Sequence, residues 1–304
     1  MTRAPRRLLL NDEGSSALHY LDLDAPQRSW SFNGPGRDLQ LVGDERVLRS
    51  TPSGFIELGL SDGKLLREVS LPGIPAIESA RRLPGGNTVV LGNDQSGIVV
   101  QELDARGKPL QDRVLLGVGL LKGRLLRHTA AGSFLFCSET EGVRSVHEAD
   151  FENGVQELFR IPANVPADSM LKAVRIGADR VAVSTGYAAS LIIIDTARKA
   201  VVQTIGGKAQ AEPSGLRRPL SPNFFSGFQR LPNGNFLIAN WQGHGPSHAA
   251  DGYQVLMYSA EGAFEWCFDQ TEYPRMTSIN NVIALDELDT SRLHDELTGV
   301  LAPV

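Results

Sequence analysis

At several points in this chain a carboxylate or an amide follows directly on a short apolar run: Asn11-Asp12-Glu13, Asn93-Asp94, Ser138-Glu139 and Asn240-Trp241-Gln242. If the runs are strands whose ends share one level, Glu13, Asp94, Glu139 and the Asn240 amide converge as a metal site. Carboxylate and amide oxygens suit Ca²⁺, Mg²⁺ or Mn²⁺. Crowded acids also raise one another's pKa and can serve as general acid or base. The last run continues into WQGHGPSHAADG, a loop far longer than its counterparts, and long loops in compact domains often carry function. His244 and His248 are spaced to pair as metal ligands on a helix, but Gly245 and Pro246 between them oppose one. The loop reads better as a pocket wall. Trp241 would stack on a flat ligand face, with Gln242, Asn240 and His248 beside it. His244 and Glu139 are the candidate catalytic groups. Arg124 and Asn223, at the starts of other apolar runs, are further ligand-binding candidates. Arg37, Lys172, Glu78 and Asn280 or Asn281 fall at similar depth.

The elements that must position these residues form a repeat. ARRLPGGNTVVLGND (residues 80–94) and FQRLPNGNFLIANWQ (residues 228–242) share an Arg-Leu-Pro, a Gly-Asn turn, an apolar run and a polar cluster. Around each lie four short apolar runs separated by turns. Weaker copies run over 39–71, 124–161 and 171–205. Gly and Asn supply the positive φ of tight hairpins, and β-branched and aromatic residues fill the runs. The second strands recur roughly every 40–55 residues, the length of a propeller blade.

The ends complement one another. Residues 7–32 hold three strands, and Ser278–Leu285 (SINNVIAL) can supply the fourth, which removes an exposed sheet edge. The expectation is therefore an all-β chain, one six-bladed β-propeller domain over 1–304. Its first blade is shared between about 7–32 and 278–285, and 286–304 forms a C-terminal tail in which Asp286–Leu297 could make a short helix. Seven blades are the alternative, if 110–127 hides a degenerate one; a β-sandwich array explains the end-to-end complementation poorly.

Composition excludes several classes. The net charge is −5 and the pI about 5.7, and the only dense basic run, Arg3 to Arg7, is terminal. Nucleic acid is thus not an expected partner. No apolar run approaches the roughly 18 residues of a membrane-spanning helix, so a membrane is not expected either. Leu8-Leu9-Leu10 is too short for a signal-peptide core, so the expectation is a soluble, cytoplasmic protein, a removed leader aside. Cys137 and Cys267 lie far apart in strand-like runs with no zinc spacing and read as free thiols. The chain carries no G-x-S-x-G, P-loop, H-E-x-x-H or dinucleotide fingerprint.

RLPNGNFLIAN, FEWCFD and SDGKLL resemble the repeats of PQQ-like and arylsulfotransferase-like bacterial β-propellers, and DTARKAVVQTI resembles the YVTN-type propellers. The resemblance covers most of the chain as a repeat pattern and implies architecture. The His-Asp pair that precedes Gln-Arg-Leu-Pro in arylsulfotransferase-like chains is replaced here by Ser226-Gly227. The blade tryptophans of PQQ enzymes are matched only by Trp30 and Trp266. Neither sulfotransfer nor PQQ is expected. Six-bladed lactonases of the gluconolactonase type are a looser analogy. Two functional expectations follow. One is a polar small-molecule site at the channel mouth, in its concrete form a metal-assisted hydrolase of a lactone or sugar-derived ester. The other is a non-catalytic scaffold for a protein partner.

Overall fold

The computed structural model describes residues 4–248, 251–270, 273 and 276–304; Arg3 of the basic run lies outside them. Six four-stranded antiparallel sheets form a ring. The first sheet is assembled from both ends: Ile279–Ala284 pairs with Arg7–Asp12, which pairs with Ala17–Asp22 and then Trp30–Asn33. The other five blades are consecutive, with inner strands Leu39–Gly43, Ile77–Arg82, Arg127–His128, Ala173–Gly177 and Phe224–Arg230. No seventh blade hides in 110–127. Pro109–Val118 is the long outer strand of the third blade, and the residues after it cross to the fourth.

The repeated Arg-Leu-Pro turn is one structure made twice. The Leu83 N–H donates to the Asn87 carbonyl (2.8 Å) and the Gly86 N–H to the Leu83 carbonyl (2.9 Å). Leu231, Asn235 and Gly234 repeat both bonds at the same distances. Gly86 and Gly234 each sit at φ +90°, a conformation a side chain would strain. The turn thus fixes the register of the first hairpin in both blades.

Alternation along the strands places apolar residues on both faces of each sheet. Leu8 and Leu10 pack toward the sixth blade, while Leu9 packs toward the second. Each seam between neighbouring blades is filled by one apolar cluster. A seventh, Leu125, Leu171, Phe224 and Trp241, joins the entries of the fourth and fifth blades to the sixth.

The tail is not helical. Asp286–Leu297 runs as turns and a two-residue strand, His294–Asp295, that pairs with Ala302–Pro303. Its backbone bonds to other blades instead. Leu293 bridges Val42 and Val300 bridges Arg230, while the Gln40 side chain donates to the His294 carbonyl (3.0 Å). The tail thereby crosses the channel at the end opposite the second-strand loops, and it carries Asp295 and Glu296 into the axis. Arg81 donates to Asp295 (2.5 Å), Arg127 to Glu296 (2.7 Å) and to both oxygens of Asp38 (3.0 and 2.9 Å), and Lys172 to Glu296 (2.8 Å). All six groups are buried, so three cations and three anions close that end of the channel. No helix among the described residues is long and apolar enough to cross a membrane.

Candidate functional site

At the other end of the channel, two adjoining hollows of 170 and 290 Å³ share Glu13 and Arg37. Arg124, Tyr187, Phe224, Trp241, His244 and Asn280 line the smaller one, and Gly36, Ile77 and Glu78 the larger. Hollows of 610 and 570 Å³ lie elsewhere, between surface turns such as Asp150–Gly154 and Ser61-Asp62. They contain no contribution from the axis.

Every blade contributes to the mouth. Glu13 follows the second strand of the first blade, whose inner strand supplies Asn280. Arg37 and Arg124 enter the second and fourth blades, and Glu78 belongs to the third. Tyr187 follows the second strand of the fifth blade; Phe224 and Trp241 stand on strands of the sixth. Convergence of this kind is what a rigid ring provides.

Two charge groups organise the site. Glu78 lies between two guanidiniums, accepting from Arg124 Nη1 (2.8 Å) and in close contact with Arg37 Nε. Burial lowers the Arg124 pKa; Glu78 opposes that shift and the Arg37 charge adds to it. On the far wall Glu13 accepts from the Trp241 indole N–H (2.6 Å) and faces His244 Nδ1 at 3.3 Å. His244 stands edge-on to Trp241, which meets Phe224 and Tyr187 edge-on in turn.

The ring does not assemble the four proposed metal ligands. Glu13 alone among them lines the mouth. Asp94 closes its own turn, accepting from Ser96 N (2.7 Å), Ser96 Oγ and Gly97 N (2.9 Å), and these bonds lower its pKa. Glu139 accepts from Lys122 (3.1 Å) and the Ser169 N–H (2.9 Å). Burial pushes its pKa up, but those two partners outweigh burial and hold it down. It is therefore ionised and engaged, not poised as a base near neutral pH. Asn240 is fully buried; its amide donates to the Ser221 and Tyr253 carbonyls and accepts from the Asn223 N–H. Among the described residues no group of three or more His, Cys, Asp or Glu is placed to hold a metal ion.

Several expected ligand contacts turn out to be supports. Asn223 donates to the Trp241 carbonyl (3.2 Å) and Gln242 to the Ser221 carbonyl (2.9 Å). With Asn240 they stitch the entry of the sixth blade to its second strand and fix the backbone that carries Trp241. His248, on the single-turn helix Pro246–His248, pairs with Asp251 (2.8 Å) and sets its ring against Gly243, and it is not among the residues that line the mouth. Lys172 reaches down the channel to Glu296 rather than to the mouth. Sequence reasoning did not single out Ser169, Leu171 or Phe224, whose apolar or small side chains carry no chemical signal.

No family model matches the chain, and no curated protein matches it. Solved structures do. A protein of unknown function from Bacteroides caccae aligns over 92% of this chain and 98% of its own at 18% identity and TM-score 0.69. A chain of a nidogen–laminin complex aligns over 91% and 97% at 12% identity and TM-score 0.60. Regucalcin from Agrobacterium tumefaciens, described as a calcium-binding protein, aligns over 78% and 83% at 13% identity and TM-score 0.54. At such identities the likeness is one of fold, and it agrees with the ring of six sheets: the chain is a six-bladed β-propeller.

Proposed function

We propose that the protein binds a small polar organic molecule at the open mouth of its channel. The observation that carries this reading is the convergence of side chains from all six blades on hollows of 170 and 290 Å³, at the end of the channel opposite the buried ion network. A blind site of this size suits a small molecule and not a threaded polymer, since drug-sized sites enclose roughly 300–1,000 Å³.

Hydrolysis of a lactone or sugar-derived ester is the activity to screen first. Glu13 and His244 put an acid–base pair on the wall beside Trp241. In that role Glu13 orients the imidazole, whose free nitrogen would take a proton from water. Because one neighbour in fold is described as calcium-binding, the screen is run with and without Ca²⁺, Mg²⁺ and Mn²⁺.

The test is calorimetric titration of a panel of small sugars, lactones and hydroxy acids into the parent and a Trp241→Ala variant. The variant is expected to lose at least about tenfold in affinity for every ligand that binds, as stacked aromatic walls contribute on the order of 1 kcal/mol beyond their buried area. Equal affinity in the two proteins for all ligands would move the site away from the mouth.

A second reading, docking of a protein partner, is favoured by one feature. Val114, Leu116 and Val118 alternate along the outer strand of the third blade, and all three are exposed. If that edge docks a partner, Leu116→Glu is expected to abolish the complex with the fold unchanged, read by co-purification and circular dichroism. A complex that survives the change removes this edge from consideration.

A further inference from the structure

The polarity of the mouth's floor can be worked out from its hydrogen bonds. Arg49 is fully buried, and a guanidinium can only donate. Its Nε donates to Asn11 Oδ1 (2.7 Å), so the Asn11 amide nitrogen must point the other way. There it donates to the Gly36 carbonyl (2.7 Å) and to Asn280 Oδ1 (2.6 Å). Asn280 has then used its oxygen, and its NH₂ group is left over. That nitrogen is buried, has no partner, and belongs to a residue that lines the 170 Å³ hollow. Asn280 is only 3% exposed. A buried donor without a protein partner calls for an acceptor from outside the chain, an ordered water or a ligand oxygen.

The two arginines add donors of the same kind. Arg37 and Arg124 each present one guanidinium nitrogen to Glu78. Their other N–H groups have no protein acceptor among the described residues, and both side chains line the hollow. With one carboxylate between two guanidiniums, this part of the floor is locally positive, and Glu13 across the hollow is the one other carboxylate that acts on Arg124. The acceptor on the opposite wall, Glu13, is already engaged by Trp241 and His244. The floor therefore offers donors and positive charge, and the wall offers aromatic faces.

We propose that Arg37, Arg124 and Asn280 form the seat for the carboxylate of a small, flat organic acid, whose body lies against Trp241, Tyr187 and Phe224. The inference rests on the small-ligand reading of the mouth and gives that ligand its chemical class. A planar carboxylate matches the guanidinium fork with two parallel bonds, while a third oxygen-directed donor comes from the Asn280 amide. The 170 Å³ volume restricts the body to about one ring, against the roughly 300 Å³ at the lower end of drug-sized sites.

Benzoate and benzamide make the test, because they share shape and differ in charge; inorganic phosphate is the third probe. Each is titrated by calorimetry into the full chain and into Arg124→Gln, Asn280→Asp and Trp241→Ala variants. Asn280→Asp keeps the oxygen that Asn11 needs and replaces the free NH₂ by a second oxygen, so the local fold is retained. The expected result is that benzoate binds the parent at least about tenfold more tightly than benzamide. Arg124→Gln and Asn280→Asp should each weaken benzoate by about tenfold or more without weakening benzamide, and Trp241→Ala should weaken both. Benzoate and benzamide binding equally, both lost in Trp241→Ala, would overturn the anion seat and leave the small-ligand mouth standing. Phosphate binding without benzoate would overturn the carboxylate class. Failure of all three probes to bind would overturn the seat, and retention of other ligands by Trp241→Ala would separately overturn the mouth.

Discussion

Replacing Glu296 by alanine is expected to lower stability by about 3–5 kcal/mol, the range found when one partner of a buried ion pair is removed. Glu296 stands on the tail, outside the blades, yet it accepts from Arg127 Nε (2.7 Å) and Lys172 Nζ (2.8 Å) at the channel axis. Truncation takes the shared carboxylate from Arg127, which stays charged, and from Lys172, whose pKa burial already lowers to about 7 with Glu296 in place, and a buried charge without a partner is far costlier than a missing contact. Burial pushes the Glu296 pKa up, but Lys172, Arg127 and Arg81 outweigh it, so the net shift is downward. A carboxylate depressed in the folded state contributes stability that is present above its unfolded pKa and is lost as pH falls through the folded one. The difference between parent and Glu296→Ala should therefore be greatest near neutral pH and shrink on acidification below about pH 4. Urea denaturation at several pH values measures this. A loss under about 1 kcal/mol at neutral pH would mean that the tail lies over the ring without holding it.

The closed end bears on the mouth as well. Asp295 and Glu296 join the inner strands of blades two to five through Asp38, Arg81, Arg127 and Lys172. Those same strands begin near Arg37, Glu78, Arg124 and Leu171, which line the hollows at the other end. The ion network thus holds the strands that set the spacing of the groups lining the mouth. Leu125, Leu171, Phe224 and Trp241 form an apolar cluster on the mouth side of that network, and three of them line the smaller hollow.

How much of this was legible in the residues divides along a physical line. Local signals were enough for the ring. The Gly-Asn turns, the alternation in TVVLGN and FLIANW and the three-strand start each depend on near neighbours in sequence, and six blades with end-to-end closure follow from them. The level of the second-strand ends was legible too, which is why Glu13, Trp241 and His244 were found and do share the mouth. What was lost is whatever a distant partner decides. Asp94 and Glu139 look alike in sequence, but Ser96 claims one and Lys122 with Ser169 the other. Lys172 reads as a mouth cation until Glu296 draws it down the axis. The tail reads as helical over 286–297 because its acids and leucines have helical spacing. Bonds to Val42, Gln40 and Arg230 in other blades override that propensity, as tertiary context commonly does. Asn280 was visible as an amide at the right depth, but which of its atoms is free depends on Arg49 and Asn11, far away in sequence.

Ring closure should depend on Asp12 more than on any other side chain of the first blade. Its carboxylate holds the start of the closing strand. It accepts from the Thr277 N–H (2.7 Å), Thr277 Oγ1 (2.8 Å) and the Ser278 N–H (2.8 Å), as well as from the Ser15 N–H (3.2 Å) beside it. His19 Nε2 lies 3.4 Å away, and its other nitrogen meets Ser31 Oγ at 2.7 Å. That Asp-His-Ser chain runs across three strands of one blade and reads as bracing, since no part of it lines the mouth. Burial pushes the Asp12 pKa up, but His19, Ser278, Thr277 and Ser15 together outweigh it and hold the group well below the ordinary carboxylate value of 3.8. Asp12→Ala leaves several buried donors unanswered at a cost of about 1–3 kcal/mol each. The expected total is at least about 3 kcal/mol, a fall in Tm of roughly 6–12 °C at 2–4 °C per kcal/mol. Asp12→Asn, which keeps an acceptor and the shape, should lose less. The sign with pH follows as for Glu296: the stability that Asp12 contributes is complete above about pH 4 and declines as acid protonates it. Hydrogen exchange separates a local from a global cause. Amides of Ile279–Ala284 should exchange faster in Asp12→Ala than those of the inner strand Ala173–Gly177, because the closing strand is held to its blade by one neighbour and by this carboxylate. Uniform acceleration in both strands would show instead that the six blades open as one unit, with closure no weaker than any other seam.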